Sequence, residues 1–178
     1  MSEPVVVGGR FLPRELCARV VEEVERDAWW QWGEVNHGGG SHVDLELRSV
    51  QVSPVVPSCR ALIAERLAAV VRGLVPAFGR IESVEGPNLL RYRPGDFVGP
   101  HPDEDPRTRI RPRRVTVIAF LNDTGFGGGV LSLRRPEGGR TVHVPPQAGR
   151  FVAFPSPTMH AVSPTTGGNR YALVAWLH

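Results

Sequence analysis

The 178 residues are 41% hydrophobic and 22% charged, an ordinary globular composition that excludes a disordered or fibrous chain. No apolar run approaches the roughly 18–20 residues of a membrane span, and "MSEPVVVGGRF" lacks the basic start and apolar stretch of a signal peptide, so no membrane partner and a cytoplasmic location are expected. The net charge of +3 rests on 21 basic residues, all of them arginine and scattered along the chain without an aromatic-and-basic stripe, which disfavours nucleic acid as a partner.

In chain order, "PRELCARVVEEVERD" (13–27) predicts an amphipathic helix: Pro13 suits its first position, and Leu16, Cys17, Val20, Val21 and Val24 share a stripe. The glycine-rich "NHGGGSH" (36–42) reads as a loop, and the alternating "LELRSVQV" (45–52) as a strand. A second helix is expected over 57–74, burying Leu62, Ile63, Leu67, Val70, Val71 and Leu74. Cys17 and Cys59 form no motif and read as buried thiols in a reducing compartment. From about residue 80, short segments of strand character follow one another between Gly, Pro, Asn and Asp: 86–93, 97–101, 113–121, 129–134, 140–144, 150–154, 160–163 and 170–177. The pattern predicts one domain, mainly β with flanking helices (α+β): helical support over about 1–79 and a sandwich, barrel or jelly-roll core over about 80–178.

Within that core, "GPHPDEDP" (99–106) places His101 and Asp103 two positions apart, on one side of an extended chain. Pro100 and Pro102 cannot donate to a ladder, which suits a strand end or an edge. Taken alone, the octapeptide reads better as a histidine hydrogen-bonded to a loop carboxylate. The carboxy-terminal stretch changes the balance. It supplies His160 after a proline-bounded turn and, ten residues on, Arg170 at the head of a strand. Arg170, Ala172, Val174 and Trp176 share one face of that strand; Tyr171, Leu173, Ala175 and Leu177 share the other. A guanidinium buried beside Val174 and Trp176 needs an anion, and residues 154–178 contain no acid, so a ligand carboxylate is a candidate.

The ordered set "YRPGDFVGPHPD" (92–103), "RRVTVIAFLND" (113–123), "GGVLSL" (128–133), "VPPQAGRFVAFPS" (144–156) and "HAVSPTTGGNRYALVAW" (160–176) resembles the iron(II)- and 2-oxoglutarate-dependent oxygenases, in their prolyl-hydroxylase-like branch. The resemblance covers about residues 84–177 and implies a double-stranded β-helix (a cupin-like jelly roll) with two helices packed on one side. It also implies that His101, Asp103 and His160 are the two-histidine, one-carboxylate facial triad for iron(II), open to 2-oxoglutarate and O2. Arg170 resembles the residue that forks the distal carboxylate of 2-oxoglutarate, and Tyr92 a tyrosine that reaches the same cosubstrate. Thr116, Ile118, Leu131 and Trp176 match walls of the cosubstrate cavity. Several members carry tyrosine where Phe120 stands, so this chain lacks one hydroxyl donor. The implied activity is hydroxylation of an unactivated C–H bond in a prolyl residue of a peptide or in a small amino-acid-like metabolite. Succinate and CO2 are the co-products, and ascorbate is a supporting reductant. Arg48 and the arginines of 107–114, Arg107 and Arg109 foremost, are the expected substrate contacts. Two other readings stay open: a jelly-roll protein that binds metal or ligand without turnover, and a relative that demethylates nucleic acid.

Overall fold

The computed structural model describes residues 8–37, 40–103, 112–134 and 140–178. Helix α1 (Arg14–Asp27) starts immediately after Pro13 and buries Cys17, Val20 and Val24. The second helical segment opens as a 3-10 turn at Pro57–Cys59 and continues as α2 (Arg60–Phe78), four residues beyond the expected end at 74. Pro76 suggests a stop, but in the final turn its missing N–H costs one terminal bond; the helix closes instead at Gly79, whose φ is 75°.

Fourteen strands lie among the described residues, the first four between α1 and α2 and the rest after α2: β1 (Gln31–Trp32), β2 (Val35–His37), β3 (Gly40–His42), β4 (Gln51–Pro54), β5 (Val84–Tyr92), β6 (Val98–His101), β7 (Val115–Phe120), β8 (Gly127–Gly128), β9 (Leu131–Arg134), β10 (Thr141–Val144), β11 (Phe151–Pro155), β12 (His160–Val162), β13 (Thr165–Thr166) and β14 (Arg170–Leu177). The major sheet has the order β1-β4-β5-β14-β7-β11, and the minor sheet β10-β9-β12-β6. Two short pairs, β13-β8 and β2-β3, complete the described strands. All pairings are antiparallel.

Two expectations need correction. The 36–42 stretch is not simply a loop: β2 and β3 form a hairpin in which His37 pairs with Gly40. The 45–52 segment is not a strand throughout, because the Asp44 carboxylate accepts from the backbone N–H groups of Glu46 (3.0 Å) and Leu47 (3.3 Å) and holds a turn there. Only the end of that run, from Gln51, joins β4. A side-chain bond to the local backbone outcompetes the alternation that suggested a strand.

The major sheet separates two cores. Val115, Val117, Ala119, Tyr171, Leu173, Ala175 and Leu177 face the helices and pack with Val20, Val24, Ile63, Leu67 and Leu74. Their alternates Ile118, Phe120, Ala172 and Val174 face inward, against Leu131 and Leu133 of β9 and Val162 of β12. This is the expected jelly roll with its helices on one side, and the split of β14 follows the alternation read from the sequence. Helix α1 is fastened to β14 where the Tyr171 hydroxyl donates to Glu25 at 2.6 Å and accepts from the Asn169 amide at 3.2 Å. Burial, with Glu25 alongside, pushes the Tyr171 phenol up to about 12, so it keeps the proton it donates. Tyr171→Phe should lower unfolding free energy by about 1 kcal/mol, read as a shift of the urea midpoint, without changing turnover.

Candidate active site

Strands β6 and β12 are neighbours in the minor sheet, and their register sets His101 opposite His160. The imidazole centroids stand 4.3 Å apart. Each ring is oriented by the carbonyl two residues before it: His101 Nδ1 lies 2.9 Å from Gly99 O, and His160 Nδ1 lies 2.8 Å from Thr158 O. A carbonyl only accepts, so Nδ1 carries the proton in both rings and Nε2 offers its lone pair.

Those two Nε2 atoms converge on Asp103. His101 Nε2 is 3.6 Å from Asp103 Oδ1, and His160 Nε2 is 3.4 Å from Oδ2. The strand does not run on through Pro102, since β6 ends at His101. Asp103 is held instead by its own N–H, which donates to Ser156 O at 2.8 Å. Thr116 Oγ1 donates to Asp103 Oδ2 at 2.9 Å and sits 3.1 Å from Ser156 Oγ, so two hydroxyls on β7 and just after β11 steer the carboxylate. Thr116 thus supports a prospective ligand rather than forming a bare cavity wall. Burial alone would raise the Asp103 carboxyl, but its neighbours, the His101 and His160 rings and the Trp176 indole, outweigh it and hold the group well below the usual carboxylate range. Burial dominates at His160 and pushes it down to about 4, so the ring is neutral near pH 7.

The donor set fits a divalent metal. The ligand-capable atoms of His101, Asp103 and His160 all lie within 4.8 Å of one another. Donors about 2.1 Å from one ion at right angles stand about 3 Å apart, close to the spacings found here. Neutral imidazoles with one carboxylate on a single side of the ion are the ligands of non-haem iron(II) sites.

Arg170 heads β14 opposite Tyr92 of β5 and is only 1% exposed. Its guanidinium carbon lies 4.5 Å from the Tyr92 ring centroid and 5.5 Å from that of Phe120, while Nε and Nη1 have no hydrogen-bond partner among the described residues. Burial lowers its proton affinity, and Tyr92 offsets part of that. A buried cation facing aromatic rings, with two unused donors, has the chemistry to accept a carboxylate. Ile118 and Leu131 line the same inner core, and Trp176 packs at its margin beneath the Arg113 guanidinium, 3.9 Å from the indole centroid.

The residues expected to contact substrate divide. Arg48 bridges to Val98, gives Nη1 to Glu34 O at 3.2 Å, and keeps a buried Nε without a partner among the described residues. Its charge acts on both His160 and Tyr92, so it lies near the site. Arg107 and Arg109 lie outside the described residues, as do Glu104 and Asp105. Arg113 and Arg114 are both engaged within the chain. Arg113 forks Glu85 and reaches Asp103 O at 3.4 Å, while Arg114 bonds the carbonyls of Arg80 and Phe78, each at 2.7 Å. Sequence reasoning missed Ser156, Thr158 and the anchoring role of Arg113. "FPSPT" carried the signal for the first two, since a turn delivering His160 must end beside Asp103 if the two residues share a site.

Comparison with known proteins agrees with this geometry. The sequence pattern of the 2OG-Fe(II) oxygenase superfamily matches residues 87–178, just over half of the chain. A PKHD-type hydroxylase of Synechococcus sp. (strain CC9902) is 28% identical over 159 residues, spanning 88% of this chain and 69% of the relative. A PKHD-type hydroxylase of Bordetella pertussis is 29% identical over 180 residues, spanning 97% of this chain and 77% of the relative. Among solved structures, a Pseudomonas putida prolyl-4-hydroxylase superposes with a TM-score of 0.72 at 23% identity, over 97% of this chain and 91% of that one. A Trichoplax adhaerens prolyl hydroxylase, in complex with a hypoxia inducible factor peptide fragment, reaches 0.77 at 21% identity, over 98% and 83%. These likenesses show a shared double-stranded β-helix, and the superfamily match identifies the chain as a member of the iron(II)- and 2-oxoglutarate-dependent oxygenases, related to their prolyl-hydroxylase-like branch.

Proposed function

We propose that this oxygenase hydroxylates an unactivated C–H bond of a prolyl residue in a peptide, or of a compact amino-acid-like metabolite, with succinate and CO2 as co-products. The observation that carries the reading is the meeting of His101 and Asp103 with the distant His160, one ligand-capable atom from each lying within 4.8 Å of the others. The names of the hydroxylase relatives and the peptide-bound Trichoplax structure support a prolyl peptide as the prime substrate. No helix among the described residues is long and apolar enough to cross a membrane, and the buried free thiols Cys17 and Cys59 suit a reducing cytoplasm.

His101 and His160 would hold iron(II) through Nε2 and Asp103 through its carboxylate, whose charge offsets half that of the ion. When bound, iron(II) with 2-oxoglutarate supplies the activation of O2, coupling oxidative decarboxylation of the keto acid to insertion of one oxygen atom into the substrate C–H bond. The chain's part is placement. Gly99 O and Thr158 O fix the imidazole tautomers; Thr116 and Ser156 fix the carboxylate; Arg170 and Tyr92 receive the distal carboxylate of the cosubstrate. Leu131, Ile118 and Phe120 keep the cavity floor dry, which strengthens the polar contacts made there. Arg48, near the site and with an unused donor, would meet an acidic group on the prime substrate.

Chelation should abolish succinate formation and added iron(II) should restore it, while His160→Ala should retain less than about 1% of turnover and lose one equivalent of bound metal by titration. A chain that turns over unchanged after that substitution refutes the ligand assignment. Thr116→Val, which removes the hydroxyl on Asp103, should weaken metal binding about tenfold, measured by competition with a chelator.

A further inference from the structure

We propose that Thr165 is the second donor to the distal carboxylate of 2-oxoglutarate, acting with Arg170 in place of the phenol that Phe120 cannot provide. The inference rests on the oxygenase reading above and deepens it by adding a residue to the cosubstrate grip.

Thr165 opens β13, and its backbone is fully engaged: its N–H donates to Asp96 O at 3.0 Å and its carbonyl accepts from Gly95 N–H at 2.7 Å. It also pairs in register with Gly128 of β8. A β-branched side chain on a fixed backbone has few rotamers, so the hydroxyl is held in place. The residue is 1% exposed, and Oγ1 has no hydrogen-bond partner among the described residues. A hydroxyl withdrawn from water without a partner costs as much as a lost hydrogen bond, whereas valine would fill the same volume at no such cost. Packing therefore explains the shape of the side chain and leaves its oxygen unexplained.

The neighbouring orphan is Arg170. Gly129 adopts φ of +61°, and a Cβ built there would meet Arg170 Cδ at 2.5 Å, Arg170 Nε at 3.1 Å and Thr165 Oγ1 at 3.4 Å. Arg170 Nε and Thr165 Oγ1 therefore lie within about 6.5 Å of each other on one side of Gly129, where any larger residue would collide with the arginine. Nε and Nη1 of Arg170 are themselves buried and unpartnered. One carboxylate accepts from both groups together, since its two oxygens offer about four lone-pair directions. Phe120 contributes an apolar face to this pocket, so the chain replaces the missing phenolic donor from the connection between β12 and β14.

The test is calorimetric titration of the manganese(II)-loaded protein with 2-oxoglutarate and, separately, with 2-oxopentanoate, which keeps the keto acid and lacks the distal carboxylate. Thr165→Val should bind 2-oxoglutarate about ten- to a hundredfold more weakly and 2-oxopentanoate as the parent does. Thr165→Ser, which keeps the hydroxyl, should bind both within about threefold of the parent. In turnover the valine variant should raise KM for 2-oxoglutarate with little change in kcat at saturation, and thermal melts should show both variants folded. Undiminished 2-oxoglutarate affinity in Thr165→Val, or equal losses for both ligands, overturns the assignment of Thr165 while leaving the oxygenase reading intact. Failure of the parent protein itself to bind 2-oxoglutarate, or full binding by Arg170→Met, overturns the reading on which it rests.

Discussion

The register between β6 and β12 is the constraint on which the site depends. It sets His101 across from His160, at the end of one strand and the beginning of the other, so that both rings meet at one end of the paired segment. A one-residue slip would turn one imidazole to the opposite face and leave Asp103 with a single partner. The register is held from both sides. His160 also pairs with Leu133 of β9, and Val162 is opposite Leu131 on one flank and Val98 on the other. Those apolar side chains belong to the inner core, so hydrophobic packing fixes the position of the polar atoms.

Burial then does chemical work. Asp103 and His160 are both nearly excluded from water, and the environment drives them in the directions a metal site needs: an ionised carboxylate and an uncharged ring. The cation that balances the cavity, Arg170, comes from the opposite sheet. Its inward position follows from strict alternation along β14, which sends Ala172 and Val174 into the same core and Tyr171 and Leu173 toward the helices. One strand thereby ties the helical support to the cosubstrate pocket.

Much of this was legible in the sequence because it depends on periodicity and on scarce residue types. The alternation of 170–177 and the strand series after residue 80 reflect local rules that the structure follows, while His101 and Asp103 converge with Asp103 already past the end of β6. What was hidden depends on contacts that alternation does not encode. Asp44 folds 45–47 into a turn through its side chain, and no pattern of apolar residues announces that bond. Thr116 looked like cavity lining, because only the position of Ser156, forty residues away in the chain, shows that its hydroxyl serves Asp103. Arg113 looked like one more member of a basic run until Glu85 and Trp176 supplied an anion and a ring to hold it.

The two imidazoles are unequal in their access to water: the His160 side chain is 4% exposed and that of His101 is 33% exposed. His101 also ends β6, an edge strand of the minor sheet. An ion held by this trio would therefore meet solvent first on the His101 side, with Asp103 and His160 holding it from within.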